Sequence, residues 1–181
     1  MKVITAIEPY ESNPNDLKVF MAGGITRCRD WQKEFITYLE NLNRNFNYGH
    51  YSKYKAFDKL VLFNPRRKNF PINDPNASYD QINWEFNHLQ QCDFFLMHFC
   101  NSESVQPICM YELGRNLVLM QQKFPNDYLN RILVCVEPGY SREQDVLIQT
   151  QLALNTNIVL VCSDEYKNRV DIFIDRINTL N

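Results

Sequence analysis

The segment "DFFLMHFCNSESVQPICMYELGRNLVLMQQKF", residues 93–124, decides the fold class. It opens with an apolar run, residues 93–100, in which polar and apolar residues do not alternate. Such runs are typical of strands that are buried on both faces of a parallel sheet. Residues 107–124 then carry apolar residues at helical spacing, after a proline that suits the first helical turn. A buried strand followed by a covering helix indicates an α/β fold.

The same unit of strand and helix recurs along the chain. Further apolar runs lie at residues 17–23, 60–65, 131–138 and 157–163. Helical patterns lie at residues 29–44, 78–92, 142–154 and 164–180. Alternating strands and helices predict a doubly wound, flavodoxin-like five-stranded parallel sheet with the strand order 2-1-3-4-5. We interpret "KVITAI", residues 2–7, as an additional N-terminal edge strand.

Length and composition point to a compact protein with a small-molecule ligand. A chain of 181 residues buries a sizeable core without disulfides, which predicts a single domain over residues 1–181. Lys and Arg number 19 against 21 Asp and Glu, so neither nucleic acid nor a membrane is the expected partner. The six cysteines form no C-x-x-C pair, and we interpret them as reduced. With no apolar stretch long enough to span a bilayer, a cytoplasmic protein is predicted.

Candidate ligand-binding residues follow the strands. In open α/β sheets, ligands bind beyond the carboxyl ends of the strands, near the point where the strand order reverses. Gly23 and Gly24 follow the first core strand, and Asn64 and Arg66 follow the second. The paired glycines either let backbone amides approach a ligand or only form a tight turn. The guanidinium of Arg66 suits a base edge or a phosphate, although a solvated or ion-paired arginine is equally ordinary.

Two glutamates are the candidates for chemistry. Glu85 shares a helical stripe with Ile82, Leu89 and Cys92, so a carboxylate is expected within an apolar face, where it is either functional or paired with an arginine. Glu112 lies about two turns into the next helix, where it is either functional or solvated, and the helix dipole is expected to favour its ionised form. Both are predicted at the same edge of the sheet. Repulsion between them would keep one partly protonated, which separates a nucleophile from an acid.

Four segments, in this order and spacing, carry a family resemblance: "VFMAGGITRCRDWQ", "FNPRR", "QINWEFNHLQQCDFFLMHF" and "PICMYELG". Together they resemble the nucleoside 2-deoxyribosyltransferase family, particularly its deoxyribosyltransferase-like branch. The later "VEPGYSREQDV" is similar to that branch as well, so that the resemblance spans residues 17–146. It implies a flavodoxin-like fold and an enzyme that exchanges bases on 2-deoxyribose through a glutamate that captures the sugar.

The resemblance also implies roles for single residues. Glu112, in "ELG", corresponds to the nucleophile, and Glu85 to a second carboxylate that is aspartate in the better-known members. Gln106 stands where characterised transferases have an aspartate that holds sugar hydroxyls. The implied partners are a nucleoside or deoxynucleoside, a free nucleobase and further copies of the chain, since a neighbouring carboxyl terminus often completes the site in this family.

The combined interpretation assigns Gly23 and Gly24 to the sugar, and Asn64, Arg66 and the aromatic loop at residues 45–59 to the base. No cofactor and no metal are predicted, because histidines 50, 88 and 98 lack the spacing of metal ligands. His98 is expected to be a core residue. Three functions stay open: a deoxyribosyltransferase, an N-glycosidase acting on nucleosides or nucleotides, and a non-catalytic nucleotide-sensing module. The base preference, the sugar and any need for a 5′-phosphate also stay open.

Overall fold

The computed structural model describes residues 1–46, 57–71, 73–162 and 166–180. Its six strands are β1 (Lys2–Thr5), β2 (Leu17–Gly23), β3 (Leu60–Asn64), β4 (Phe94–Phe99), β5 (Ile132–Val136) and β6 (Val159–Val161). Its five helices are α1 (Trp31–Phe46), α2 (Ala77–Gln91), α3 (Pro107–Lys123), α4 (Glu143–Leu154) and α5 (Tyr166–Thr179). None of the described helices has both the length and the apolar character that crossing a bilayer requires.

The strands form one parallel sheet with the order β1-β3-β2-β4-β5-β6. Without β1, this is the predicted flavodoxin-like order 2-1-3-4-5, and β1 is the predicted edge strand. The fold prediction is therefore confirmed. The last strand is shorter than the predicted residues 157–163, because the side chain of Asn157 accepts the backbone N–H of Val159 and forms a local turn where the strand was expected to begin.

The sheet separates two apolar cores, which explains why its strands read as unbroken apolar runs. Phe20 and Ala22 of β2 point to the face covered by α2, α3 and α4, whereas Val19 and Met21 point to the face covered by α1 and α5. All four residues are at most 1% exposed. A strand that is buried on both faces needs apolar side chains at consecutive positions, and the helices on both sides make this a doubly wound sheet.

The inward face of α2 differs from the predicted stripe. Ile82 was expected to face the core, but it is 64% exposed. Trp84 and His88 face the sheet instead, and their rings stack with centroids 4.0 Å apart. The indole N–H of Trp84 donates to the carbonyl of Glu8, so that this large ring is buried without an unsatisfied donor. This rotation of the helix leaves Glu85 at the border of the buried face, next to a cavity.

Asp93, which directly precedes β4 at the amino edge of the sheet, has a structural role. Its carboxylate accepts the backbone N–H of Lys18 at 3.0 Å and lies 3.8 Å from the Lys18 ammonium. The aromatic loop at residues 45–59 lies mostly outside the described residues, so the prediction that it contacts the base stays a prediction.

Candidate active site

A cavity of about 250 Å³ opens at the carboxyl edge of the sheet, where β2 and β4 diverge to helices on opposite faces. Five of the predicted site residues line it: Gly23, Gly24, Glu85, Gln106 and Glu112. Thr26, Ser104, Ile108 and Cys109 line it as well. Neither Asn64 nor Arg66 is among its lining residues in the part of the chain that is described. The strand-order rule therefore locates the cavity and most of its predicted residues.

Gly23 and Gly24 lie where the chain at the end of β2 packs closely against the end of β4 and the loop that follows it. Gly23 has φ +153°, and a Cβ at this position would lie 2.4 Å from the carbonyl oxygen of His98. A Cβ on Gly24 would lie 2.3 Å from Oε1 of Gln106. The N–H of Gly24 already donates to the carbonyl of His98, at 3.2 Å. Close packing thus requires both glycines, and the amide of Gly24 is engaged within the protein.

Arg66 holds the segment after β2 in place. Its guanidinium donates to the backbone carbonyls of Gly24 and Arg29 at 2.9 and 2.8 Å, and its Nε donates to the side chain of Gln32 at 3.0 Å. The side-chain oxygen of Asn64 accepts the backbone N–H of Arg66 and forms a tight turn. Arg66 thus acts on the cavity through Gly24, which lines it, and the prediction that Asn64 and Arg66 bind the base stays a prediction.

Gln106 closes the loop between β4 and α3. Its Oε1 accepts the backbone N–H of Cys100 at 3.1 Å, and its Nε2 donates to the carbonyl of the same residue at 2.7 Å. The residue is only 4% exposed and adopts the left-handed conformation, with φ +49°. Its amide is therefore engaged with the backbone, and this closed loop positions the start of α3 and, two turns later, Glu112.

The two glutamates share the cavity and are both harder to ionise than usual. Burial, together with the charge of Glu85, raises the pKa of Glu112 to about 8, although Arg115 opposes the rise. Burial also raises the pKa of Glu85, and a hydrogen bond from Gln81 opposes that rise. As predicted, the pair therefore retains a proton near neutral pH, and its titration belongs to both groups together.

The prediction that the helix dipole favours ionised Glu112 is wrong in its net effect. Pro107 is the first residue of α3, so Glu112 lies beyond the first turn, to which the dipole effect is largely confined. Burial and the neighbouring carboxylate dominate instead. The favourable charge nearby is Arg115, whose guanidinium is stacked over the ring of Phe86 at 4.3 Å.

A buried ionic cluster supports the sheet edge beside the cavity. Nε2 of His98 lies 2.8 Å from Oε1 of Glu137, which Arg29 also contacts at 2.7 Å. The other carboxylate oxygen of Glu137 accepts the backbone N–H of Asn101 at 2.8 Å. Burial would raise the pKa of Glu137, but these hydrogen bonds outweigh it and lower the pKa to about 2. Burial lowers the pKa of His98 to about 4, so the histidine is a neutral, satisfied core residue, as predicted.

Within the described residues, the side chains close enough to share a metal ion are those of His98, Cys100 and Glu137. Both oxygens of Glu137 are already bonded to hydrogen-bond donors, and Arg29 supplies the positive charge that an ion would bring. Hydrogen bonds and ion pairs thus account for the contacts of this cluster.

Sequence reasoning missed two polar side chains that bear on the site. Gln81 precedes Glu85 by one helical turn and donates to its Oε1 at 2.6 Å. The spacing of four residues was a usable signal, because such side chains meet on a helix surface. Glu137 gave a weaker signal, since it follows β5 directly and strand ends are where site residues collect.

Comparison with known protein families agrees with this geometry. A family model described as "nucleoside 2-deoxyribosyltransferase like" matches residues 16–124, which include both glutamates of the cavity. The chain belongs to this family. Nucleoside 2-deoxyribosyltransferase-like proteins act on nucleosides and nucleobases, which indicates the same class of substrate here. No curated protein matches the chain.

Proposed function

We propose that the chain transfers 2-deoxyribose from one nucleobase to another through a covalent glycosyl ester on Glu112. The observation that carries the proposal is the pair of carboxyl groups in one cavity, Glu85 on α2 and Glu112 on α3, with the pKa of Glu112 raised to about 8. Two carboxyl groups that hold one proton between them provide both a nucleophile and an acid. Membership of the nucleoside 2-deoxyribosyltransferase-like family supports the same assignment.

In the first half of the proposed reaction, the glycosidic bond breaks. The productive form of the pair has Glu85 protonated and Glu112 ionised. Glu85, or a water that it orders, gives its proton to the departing base while the sugar acquires oxocarbenium character. Glu112 attacks the anomeric carbon from the opposite face, so that an ester bond forms as the bond to the base breaks.

In the second half, an incoming base attacks the same carbon and displaces Glu112, while ionised Glu85 accepts the proton that this base loses. The two successive inversions retain the configuration of the sugar, as in retaining glycosidases. If water attacks instead, the same intermediate gives free deoxyribose, which is the hydrolytic outcome. Ser104 and Thr26 also line the cavity, and their hydroxyl groups are proposed to contact the sugar.

Base exchange separates these outcomes. The protein is incubated with deoxyinosine and adenine, and the products are separated by chromatography. We expect deoxyadenosine from the native protein and none from Glu112→Gln. Glu103→Gln is the matched control, because the side chain of Glu103 is 85% exposed, and it should exchange bases at the native rate. Free deoxyribose without deoxyadenosine would identify an N-glycosidase, and nucleoside binding without either product would identify a sensing module.

The proposal extends to the organisation of the protein. We propose a single domain over residues 1–181 in the cytoplasm, and the family resemblance implies that it works as a homo-oligomer. The aromatic loop at residues 45–59, together with Asn64 and Arg66, is proposed to face the base, and Gly23, Gly24 and Gln106 the sugar.

A further inference from the structure

We propose that Gln81 is a positioning residue that orients the carboxyl group of Glu85 and dictates which of its two oxygens carries the proton. The inference rests on the proposed function, in which Glu85 is the acid. Gln81 lies one helical turn before Glu85 on α2, and its Nε2 is shared between two acceptors. These are the carbonyl of Pro65 at 2.7 Å and Oε1 of Glu85 at 2.6 Å.

The orientation of the Gln81 amide follows from its partners. A backbone carbonyl only accepts hydrogen bonds, so the amide nitrogen, and not the oxygen, must face Pro65. One of the two N–H groups is used there, and the second is directed at Glu85. Because Pro65 directly follows β3, the contact also ties α2 to the end of a sheet strand. Gln81 therefore connects the acid to the carboxyl end of β3.

This geometry determines where the proton of Glu85 resides. Oε1 accepts the N–H of Gln81, so a proton on the neutral carboxyl group belongs on the other oxygen, Oε2. An acid with a defined proton position transfers it along one direction, which is what a fixed leaving group requires. The same hydrogen bond also stabilises the ionised form, and it opposes the rise in the pKa of Glu85 that burial causes.

Within the described residues, titratable groups of α3 also interact with Glu85. Glu112 is the neighbouring carboxylate, and Arg115 offsets its charge. Burial and the charge of Glu112 raise the pKa of the Cys109 thiol, which therefore stays neutral. A variant at Gln81 in the native background would shift the titration of the whole pair. The cleanest background is Glu112→Gln, in which Glu85 titrates without its carboxylate neighbour.

The test is a carboxyl titration by NMR, with side-chain ¹³C-labelled glutamate, in the Glu112→Gln protein. Loss of a resonance in the Glu85→Gln/Glu112→Gln protein assigns the signal of Glu85. Gln81→Met removes the N–H donor at similar volume, and Gln81→Glu replaces it with an acceptor that repels ionised Glu85. We expect the titration midpoint of Glu85 to rise with Met and to rise further with Glu. Gln90→Met, an exposed position on the same helix, should leave it unchanged.

An unchanged midpoint in either folded Gln81 variant would overturn the proposal, as would a fall. The two substitutions differ in charge and shape, so a folding failure of one leaves the other to decide. The Glu112→Gln background cannot form the proposed ester, so this result is independent of the reaction. If base exchange is absent in the native protein while the midpoints shift as expected, the proposed function fails and the role of Gln81 in orienting Glu85 stands.

Discussion

At the level of single residues, the proposed reaction depends on one proton that two carboxyl groups share. Glu112 must be ionised to attack the sugar and Glu85 must be protonated to release the base, yet burial raises the pKa of both. One proton on the pair is the state expected near neutral pH, and the productive form is the arrangement in which Glu85 carries that proton. The reactivity of Glu112 comes from a site in which its charge is poorly solvated.

The pH dependence of base exchange should be bell-shaped. On the acid side, activity should rise as the pair of carboxyl groups loses its first proton. On the alkaline side, it should fall as the pair loses its second proton, and the pKa of Glu112 puts this fall near pH 8. Glu85→Gln should lower kcat/KM by roughly 10²- to 10⁴-fold, the usual contribution of a general acid. The alkaline fall should disappear with it, because ionised Glu112 is then the only state required. An unchanged bell in this variant would contradict the assigned roles.

The same burial predicts a stability that depends on pH. The unfolded chain releases the proton of Glu112 near the ordinary value of 4.5, whereas the folded protein holds it up to about pH 8. Folding stability is therefore lost progressively as the pH rises through this window. Glu112→Gln should match the native protein near pH 4 and be more stable above pH 8, by at least about 1 kcal/mol, or ~2–4 °C in Tm.

Thermal melts followed by circular dichroism across pH 4–9 measure this difference. Glu103→Gln, at an exposed position, is the control and should follow the native curve. A Glu112→Gln protein that is no more stable than the native one at pH 9 would show that the carboxylate is well solvated, contrary to the account.

At the level of strands and helices, two glycines differ in what their positions require. Gly23 lies where the backbone of β2 closely approaches β4, whereas Gly114 occupies an ordinary position in a helix. A Cβ on Gly23 would lie 2.4 Å from a backbone carbonyl of β4, and φ is +153°, so the strand end has to move. A Cβ on Gly114, in the middle of α3, meets no atom within 4 Å. Gly114, two residues after Glu112, therefore borders open space, and packing among the described residues does not require a glycine there.

Alanine substitutions should have opposite effects at these two glycines. Gly23→Ala should destabilise the protein by several kcal/mol, on the order of other steric and strained-backbone changes. Gly114→Ala should be neutral or stabilise it by about 0.5–1 kcal/mol, because alanine is the better helix former. Urea denaturation measures both. Equal destabilisation by the two substitutions would contradict the packing described for α3.

The strands could be predicted from the sequence, whereas the buried face of α2 could not. Unbroken apolar runs predicted the strands well, because burial on both faces leaves little choice of residue. The face of α2 was harder to predict, since Ile82 and Trp84 both fit an apolar stripe, and only the hydrogen bond from Trp84 to Glu8 selects the inward residue. A local pattern does not show a partner 76 residues away.

At the scale of the whole molecule, strand order located the cavity before any side-chain contact was known. The strand order reverses between the parallel strands β2 and β4, and Gly23, Glu85 and Glu112, from three distant segments, all line the cavity at this point. The bonding of Arg66 was not predictable in this way. Its acceptors include backbone carbonyls of the segment after β2, and a sequence pattern does not show which guanidinium reaches them.

The proposed reaction requires a covalent bond between Glu112 and the sugar. The most direct measurement is mass spectrometry of the protein after incubation with a slow 2-fluoro nucleoside, which prolongs the life of the intermediate. The account predicts a mass increase of one fluorinated pentosyl group, located on the peptide that contains Glu112, and no increase in Glu112→Gln. An adduct on Glu85 or another residue, or turnover of natural nucleosides by Glu112→Gln at the native rate, would contradict it.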